Sequence, residues 1–239
     1  MKLVADGTQD LPKWGSSWVV LRKDLADSGQ VKTPVDLKGM KIAIPSQGSY
    51  AQMIVELALA EGGLKPDDAE LVVLPHADQA AGLQNKAIAA GFTVEPFIAR
   101  GVQEGFSLKW IPDYKYFNGK VQGAFIVFGP ELARNKDLGQ RWMTAYLKGV
   151  RTYLDAFEKR QGRDEVVNIL IKQTTVKDPK LFDIMELPYL DPNGLIDKKS
   201  MDAQYKWFVD KGVYQGKKTF DDIMDLSFAE AASQKLGKR

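Results

Sequence analysis

A chain of 239 residues, 44% hydrophobic and 27% charged, is long enough for one large domain or two lobes that each bury a core, which excludes a disordered polypeptide. The formal net charge is +2 and basic runs do not exceed two residues, as at Lys198-Lys199 and Lys217-Lys218, so the sequence carries no electrostatic footprint for nucleic acid. No cysteine is present, which removes disulfide and thiolate chemistry, and no apolar run approaches the roughly 20 residues of a membrane span. Met1 to Asp6 lacks the apolar core of an export signal.

In chain order, the first strand signal is Trp18 to Arg22, apolar and β-branched. Residues 41 to 111 then alternate strand and helix in short steps. A strand at Lys41–Ile44 feeds a helix over about 49–61 that Gly62-Gly63 ends, and Leu71–Leu74 forms the next strand. Asp78 is placed to cap a helix running to about Lys86, Gly91–Val94 forms a strand, and a short helix begins at Glu95 or Pro96. Leu108–Ile111 closes this βαβαβ unit, for which right-handed crossovers predict a mostly parallel sheet covered by helices. Gly123–Phe128 adds an apolar strand that completes the lobe or crosses between lobes, making 22–40 and 129–136 candidate hinge connections. From Leu138 the pattern turns helical. Trp142, Tyr146, Val150, Tyr153 and Phe157 recur at helical spacing and read as a core-facing row, with further helices at about 164–173, 178–186, 198–212 and 225–236.

The segment Lys41 to Ser49 carries the clearest chemistry. A strand runs into a small-residue loop that opens a helix, so the N–H groups of Gly48 to Ala51 lack intrahelical partners. Ser46 and Ser49 add hydroxyls, and the helix dipole favours negative charge. The same residues would also serve as a plain strand-to-helix turn with Ser49 as N-cap. His76, the lone histidine, reads as a satisfied loop residue. No Ser-His-acid or metal-ligand spacing stands out, so no catalytic residue, metal or cofactor is expected.

Asp36 to Ser49, followed by Gly62-Gly63-Leu64-Lys65-Pro66-Asp67-Asp68, resembles the substrate-binding proteins of nitrate, sulfonate and taurine type ABC importers. Phe92-Thr93-Val94-Glu95-Pro96-Phe97 occupies the place of that family's acidic-Pro segment. Pro188–Gly194 and Ser227–Ala232 resemble its C-terminal region. The resemblance implies an α/β fold of the type II periplasmic-binding-protein kind, two lobes joined by a hinge. Residues 1–13 would be the remnant of a first lobe, 14–135 the second lobe with its hinge-side strands, and 136–239 a helical region returning to the first. Because that family begins with an export signal and a strand-helix portion, the first lobe is expected to be incomplete and to expose an apolar patch. The implied function is capture of a small anionic or zwitterionic solute in an interlobe cleft and delivery to a membrane permease driven by a separate ATPase, in an extracytoplasmic compartment and as a monomer. The ligand contacts implied are Ser46, Gln47, Gly48 and Ser49, Thr93 and Glu95, and Trp14, Gly15, Ser16 and Ser17. Each has a plainer use: Glu95 can close a helix N-terminus or pair with a cation, and Trp14 can pack. Proteins of thiamine-pyrimidine-precursor metabolism, which share the resemblance, and soluble ligand sensors are the alternative classes.

Overall fold

The alternating signals between residues 41 and 112 build a five-stranded sheet. The computed structural model describes residues 1–239. Its strands are β1 (Lys2–Asp10), β2 (Ser17–Arg22), β3 (Lys41–Ile44), β4 (Glu70–Val73), β5 (Ala90–Val94), β6 (Ser107–Pro112) and β7 (Val121–Phe128). Its α-helices are α1 (Lys23–Asp27), α2 (Tyr50–Glu61), α3 (His76–Gln84), α4 (Phe97–Gln103), α5 (Pro130–Arg134), α6 (Lys136–Glu158), α7 (Arg163–Gln173), α8 (Leu181–Ile184), α9 (Lys198–Asp210), α10 (Phe220–Ile223) and α11 (Ser227–Leu236). The chain divides into two compact units, residues 1–11, 120–182 and 188–239 forming the first, and residues 12–119 with 183–187 the second.

The second unit holds the sheet in the order β4-β3-β5-β2-β6. β3 pairs in parallel with β4 and β5, whereas β2 is antiparallel to both β5 and β6. Four strands therefore share one direction and β2 runs against them. The run from 41 to 112 thus gives the expected mostly parallel sheet, into which β2 inserts antiparallel because it enters from outside the βαβ run and no crossover rule governs it. Val20, Ala43, Leu83, Ile88 and Ile98 form a buried cluster between sheet and helices. α2 buries Met53, Ile54, Val55, Ala58 and Leu59. Gly62 ends it where nothing larger fits: a Cβ there would lie 2.5 Å from the backbone nitrogen of Val35. Asp78 lies within the first turn of α3, whose N-cap is Pro75, so the helix starts two residues before the expected cap.

In the first unit β1 and β7 pair antiparallel, from Lys2↔Phe128 to Asp10↔Val121. β1 has no counterpart in the sequence reading, since the polar residues Asp6, Gly7, Thr8, Gln9 and Asp10 mask any strand signal. β7, grouped by sequence with residues 14–135, lies instead in the first unit with β1. The passages between units fall at 11–12 and 119–120, with a short return at 183–187, rather than in 22–40 or 129–136. The expected helix over 178–186 shrinks to α8, with Pro179 before it and Pro188 and Pro192 after it preventing extension. Val4, Ala5, Phe128, Met143, Leu147 and Phe228 make the core, with the Phe128 and Phe228 ring centroids 5.1 Å apart at 68°. Of the α6 row, Val150 is buried, Phe157 stacks on Phe182, and Tyr153 donates its hydroxyl to the carbonyl of Pro188 at 2.7 Å. Trp142 is 41% exposed, and Leu138 and Val127 are 46% exposed each.

A polar network threads the same core. The buried Asp6 carboxylate accepts from Gln122 Nε2 at 2.5 Å and from the Asp191 N–H at 2.7 Å, and Tyr146 donates its hydroxyl to the Asp6 carbonyl at 2.7 Å. Gln122 Oε1 accepts from the Asp197 N–H at 2.9 Å. Burial pushes the Asp6 carboxyl up to about 6, against hydrogen bonds that pull it down. The folded state therefore binds this proton more tightly than the unfolded chain, and stability contributed by Asp6 falls as pH rises from about 4 through about 6, by at most about 3 kcal/mol at 1.36 kcal/mol per pKa unit. Denaturant titrations from pH 4 to 7 should show that slope, and Asp6→Asn should flatten it. Phe228→Ala should cost about 3 to 5 kcal/mol in the same measurement, by emptying the centre of the aromatic core.

Candidate functional site

Strand direction gathers the site. The carboxyl ends of β3, β4, β5 and β6 lie along one edge of the five-stranded sheet, and the start of β2 meets them there, with Ser17 opposite Val94 and Trp18 opposite Pro112. Open α/β sheets bind ligands at that edge. It brings together the loop 45–49 after β3, His76 after β4, Thr93 and Glu95 at the end of β5, Trp14 to Ser17 before β2, and Asp113 after β6. Three segments far apart in sequence, all flagged as contacts, thus share one edge of the second unit.

The β3–α2 loop is organised by its own hydrogen bonds. Gly48 lies at φ 62°, a left-handed conformation that a side chain would strain. Its N–H donates to Gln52 Oε1 at 2.7 Å, and Ser49 Oγ accepts from the Gln52 N–H at 3.3 Å while donating to the Ser46 carbonyl at 2.6 Å. Ser49 is therefore the N-cap of α2, as the plainer reading of the segment has it. Ser46 and Gln47 are exposed. Gln52 Nε2 in turn donates to Glu56 Oε1 at 2.9 Å, which fixes the amide whose oxygen holds Gly48.

Thr93 is buried, and its hydroxyl lies 3.3 Å from His76 Nδ1. The imidazole stacks on Phe97, centroids 6.2 Å apart at 23°, and burial moves its pKa below the ordinary histidine value, so the ring is neutral at pH 7. The histidine read from sequence as a loop residue is instead the first residue of α3, and with Thr93 it stands among the candidate contacts. Tyr50, the first residue of α2, donates its hydroxyl to Asp113 Oδ2 at 2.8 Å and meets Phe92 edge-on at 5.8 Å. Sequence reasoning passed over Tyr50 and Asp113; the available signals were the place of Tyr50 at the start of α2 and of Asp113 directly after β6.

Glu95 turns inward. One oxygen accepts from the Ala99 N–H at 2.8 Å, closing the start of α4. The other accepts from the Glu186 N–H at 3.2 Å and lies 3.4 Å from Lys109 Nζ. Burial raises its pKa, and these partners pull it back. Lys109 also pairs with Glu186 at 2.9 Å. Both uses weighed for Glu95 apart from ligand contact, closing a helix and pairing a cation, are therefore present together. The 14–17 loop folds on Trp18, whose indole N–H donates to the Gly15 carbonyl at 2.8 Å, and Ser16 accepts the Glu95 N–H at 2.9 Å. Gly15 is buried and Trp14 half-buried.

Chemically this edge offers hydroxyls, an amide, an imidazole and backbone N–H groups, with Asp113 held by Tyr50 and Glu95 by Lys109. His76 has a threonine and not a carboxylate on Nδ1, so no nucleophile, base and acid stand in sequence here. No group of three or more His, Asp or Glu side chains is placed to hold a metal ion, and no helix is long and apolar enough to cross a membrane.

Residues 12–111 match the NMT1-like family model, and this stretch contains both the Asp36–Asp68 and Phe92–Phe97 segments on which the resemblance was drawn. No curated protein sequence matches the chain. Among solved structures, the periplasmic aliphatic sulphonate binding protein SsuA of Escherichia coli superposes with a TM-score of 0.67 at 19% identity, over 92% of this chain and 68% of that one. The periplasmic nitrate-binding protein NrtA of Synechocystis PCC 6803 gives 0.67 at 18% identity, over 94% and 66%. The desulfurization enzyme DszB gives 0.66 at 15% identity, over 98% and 79%, so the same fold also serves an enzyme. The chain spans about two-thirds of the length of the two binding proteins. Residues 12–111 thus carry the NMT1-like family pattern, and the chain as a whole has the α/β fold of the periplasmic sulfonate- and nitrate-binding proteins.

Proposed function

We propose that this protein is the solute-binding component of an ABC import system, taking up a small anionic or zwitterionic solute of the sulfonate, taurine, nitrate or carboxylate type. The observation that carries this reading is the edge of the five-stranded sheet, where the capped start of α2, the exposed Ser46 and Gln47, and the Thr93–His76 pair converge. Neutral donors and a helix N-terminus bind an anion by dipoles and hydrogen bonds, without a full countercharge that would slow release. Ser46, Gln47 and Thr93, with His76 added, are its proposed contacts; Gly48 and Ser49 shape the loop through the bonds they already donate, and Trp14 to Ser17 form its flanking wall. Glu95 acts as a support that holds α4 and Lys109 in place beneath them. The bound solute would pass to a membrane permease with a separate ATPase, and the protein works outside the cytoplasm as a monomer without chemistry of its own.

The DszB fold match supports an enzymatic reading only as far as fold, and the Thr93–His76 pair lacks the acid that would turn it into a base–nucleophile relay.

A calorimetric or thermal-shift panel of alkanesulfonates, taurine, nitrate, aromatic carboxylates and pyrimidine precursors tests the reading, since a ligand of the native state raises its apparent stability. Saturable binding of one oxyanion class is expected, weakened about tenfold or more by Gln47→Ala and by Thr93→Val, which is about 1.4 kcal/mol each. A protein that melts cooperatively and binds only a pyrimidine precursor would move the assignment to thiamine-precursor handling. Binding none of the panel would overturn the proposal. Ser49→Ala should lower stability by about 1 kcal/mol through loss of the N-cap of α2, read by urea titration without ligand.

A further inference from the structure

The first unit contains a cavity of about 500 Å³ that the solute-binding role leaves unused, within the 300 to 1,000 Å³ of small-molecule pockets. Its walls are ring faces. Tyr205 and Phe208 come from α9, Tyr214 from the following loop, and Phe220 and Ile223 from α10, while Lys218 is the cationic residue at its border. Tyr205 lies 5.7 Å from Tyr214 and 5.8 Å from Phe220, at 57° and 62°. Rings at these separations pack edge to face on one another and form a continuous aromatic wall.

The walls are held in place without any occupant. Tyr214 donates its hydroxyl to the Lys218 carbonyl at 2.7 Å and accepts from the Lys218 N–H at 3.1 Å, closing a five-residue loop on its own aromatic side chain. Gly216 lies over that ring so closely that a Cβ would come within 2.3 Å of the Tyr214 hydroxyl oxygen. On the other side, Thr219 and Asp222 form a capping box that starts α10, with the Thr219 N–H donating to Asp222 at 2.7 Å. Asp221 is paired with Lys198 at 2.6 Å, anchoring α10 to α9. Asp221 and Asp222 are thus both engaged, and Lys218 is exposed at the border, where its charge helps to lower the Asp222 pKa. The hydrogen bonds that hold the Tyr214–Lys218 loop reduce the ordering cost of ligand capture.

We propose that this cavity is a small-molecule site for a flat, one- or two-ring aromatic acid, its rings laid against Tyr205, Phe208, Tyr214 and Phe220 and its carboxylate toward Lys218. The cavity is too small for a protein helix, whose diameter with side chains is about 10 to 12 Å, so a docked peptide is the less fitting occupant.

Titration of the full chain with 2-naphthoate, followed by calorimetry, tests this directly. One saturable site is expected, with 2-naphthalenemethanol binding more weakly. Val213→Trp, which fills the cavity from an exposed loop position (Val213 is 49% exposed), should abolish binding while the melting transition stays cooperative. Lys218→Gln should weaken 2-naphthoate about fivefold and remove its advantage over the alcohol. His76→Ala, in the other unit, should change nothing, which separates this site from the proposed solute site. The assignment is overturned by absence of saturable binding, by binding lost in His76→Ala but kept in Val213→Trp, or by an alcohol that binds as tightly as the acid.

Discussion

The position of β2 is the constraint on which the second unit depends. Lying antiparallel between β5 and β6, it sets Ser17 opposite Val94 and Trp18 opposite Pro112, so that the loop before it arrives at the same edge as the loops leaving β3, β4 and β5. Strand side chains alternate between faces, and a slip of one residue in this register would carry Trp18 to the opposite face and uncouple its indole from the Gly15 carbonyl. Packing enforces the alignment from both sides. Val20 lies in the buried cluster with Ala43 and Ile98, and Gly91 on β5 allows Gln79 of α3 so close that a Cβ would sit 2.7 Å from its side-chain oxygen. Sheet and helices therefore leave the edge one way to assemble.

The two units solve burial differently. The second wraps a sheet in helices and buries mostly aliphatic side chains. The first has only the β1–β7 pair, and two strands alone are marginal in water. It gains cohesion from α6 and α11, which close an aromatic core around Phe128 and Phe228, and from Gln122, whose amide ties Asp6 on β1 to the backbone N–H of Asp197. Such a network stabilises only while every member is satisfied, and a buried carboxylate is its most demanding component. Asp6 accordingly makes the stability of this unit depend on pH in the mildly acidic range.

Most elements of the second unit were legible in the residues because local signals agree with one another there. Lys41–Ile44, the glycine pair after Glu61 and the apolar run at 91–94 each state their structure within a few positions. β1 was hidden because its buried face is partly polar: Asp6, Gln9 and Asp10 are all buried, and a polar residue in a core has no periodic signature. At the site, the role of Ser49 as a cap could be read from its place before a helix. The pairing of Thr93 with His76 could not, because it joins a strand to a helix start 17 residues away. The Gln52 oxygen on Gly48 and the inward turn of Glu95 were equally hidden, since both depend on rotamers chosen by the surrounding fold.

The sequence by itself determined the αβ alternation, the strand-to-helix turn capped by Ser49 and the family likeness, because these follow from periodicity, capping chemistry and the order of short motifs. Only the tertiary structure decided that β2 runs against its neighbours, that β7 belongs with β1, and which polar groups are already engaged. The physical reason is the same in each case. Strand direction, pairing partner and hydrogen-bond occupancy are properties of groups distant in the chain, chosen by mutual burial and by the cost of leaving a buried donor or acceptor without a partner.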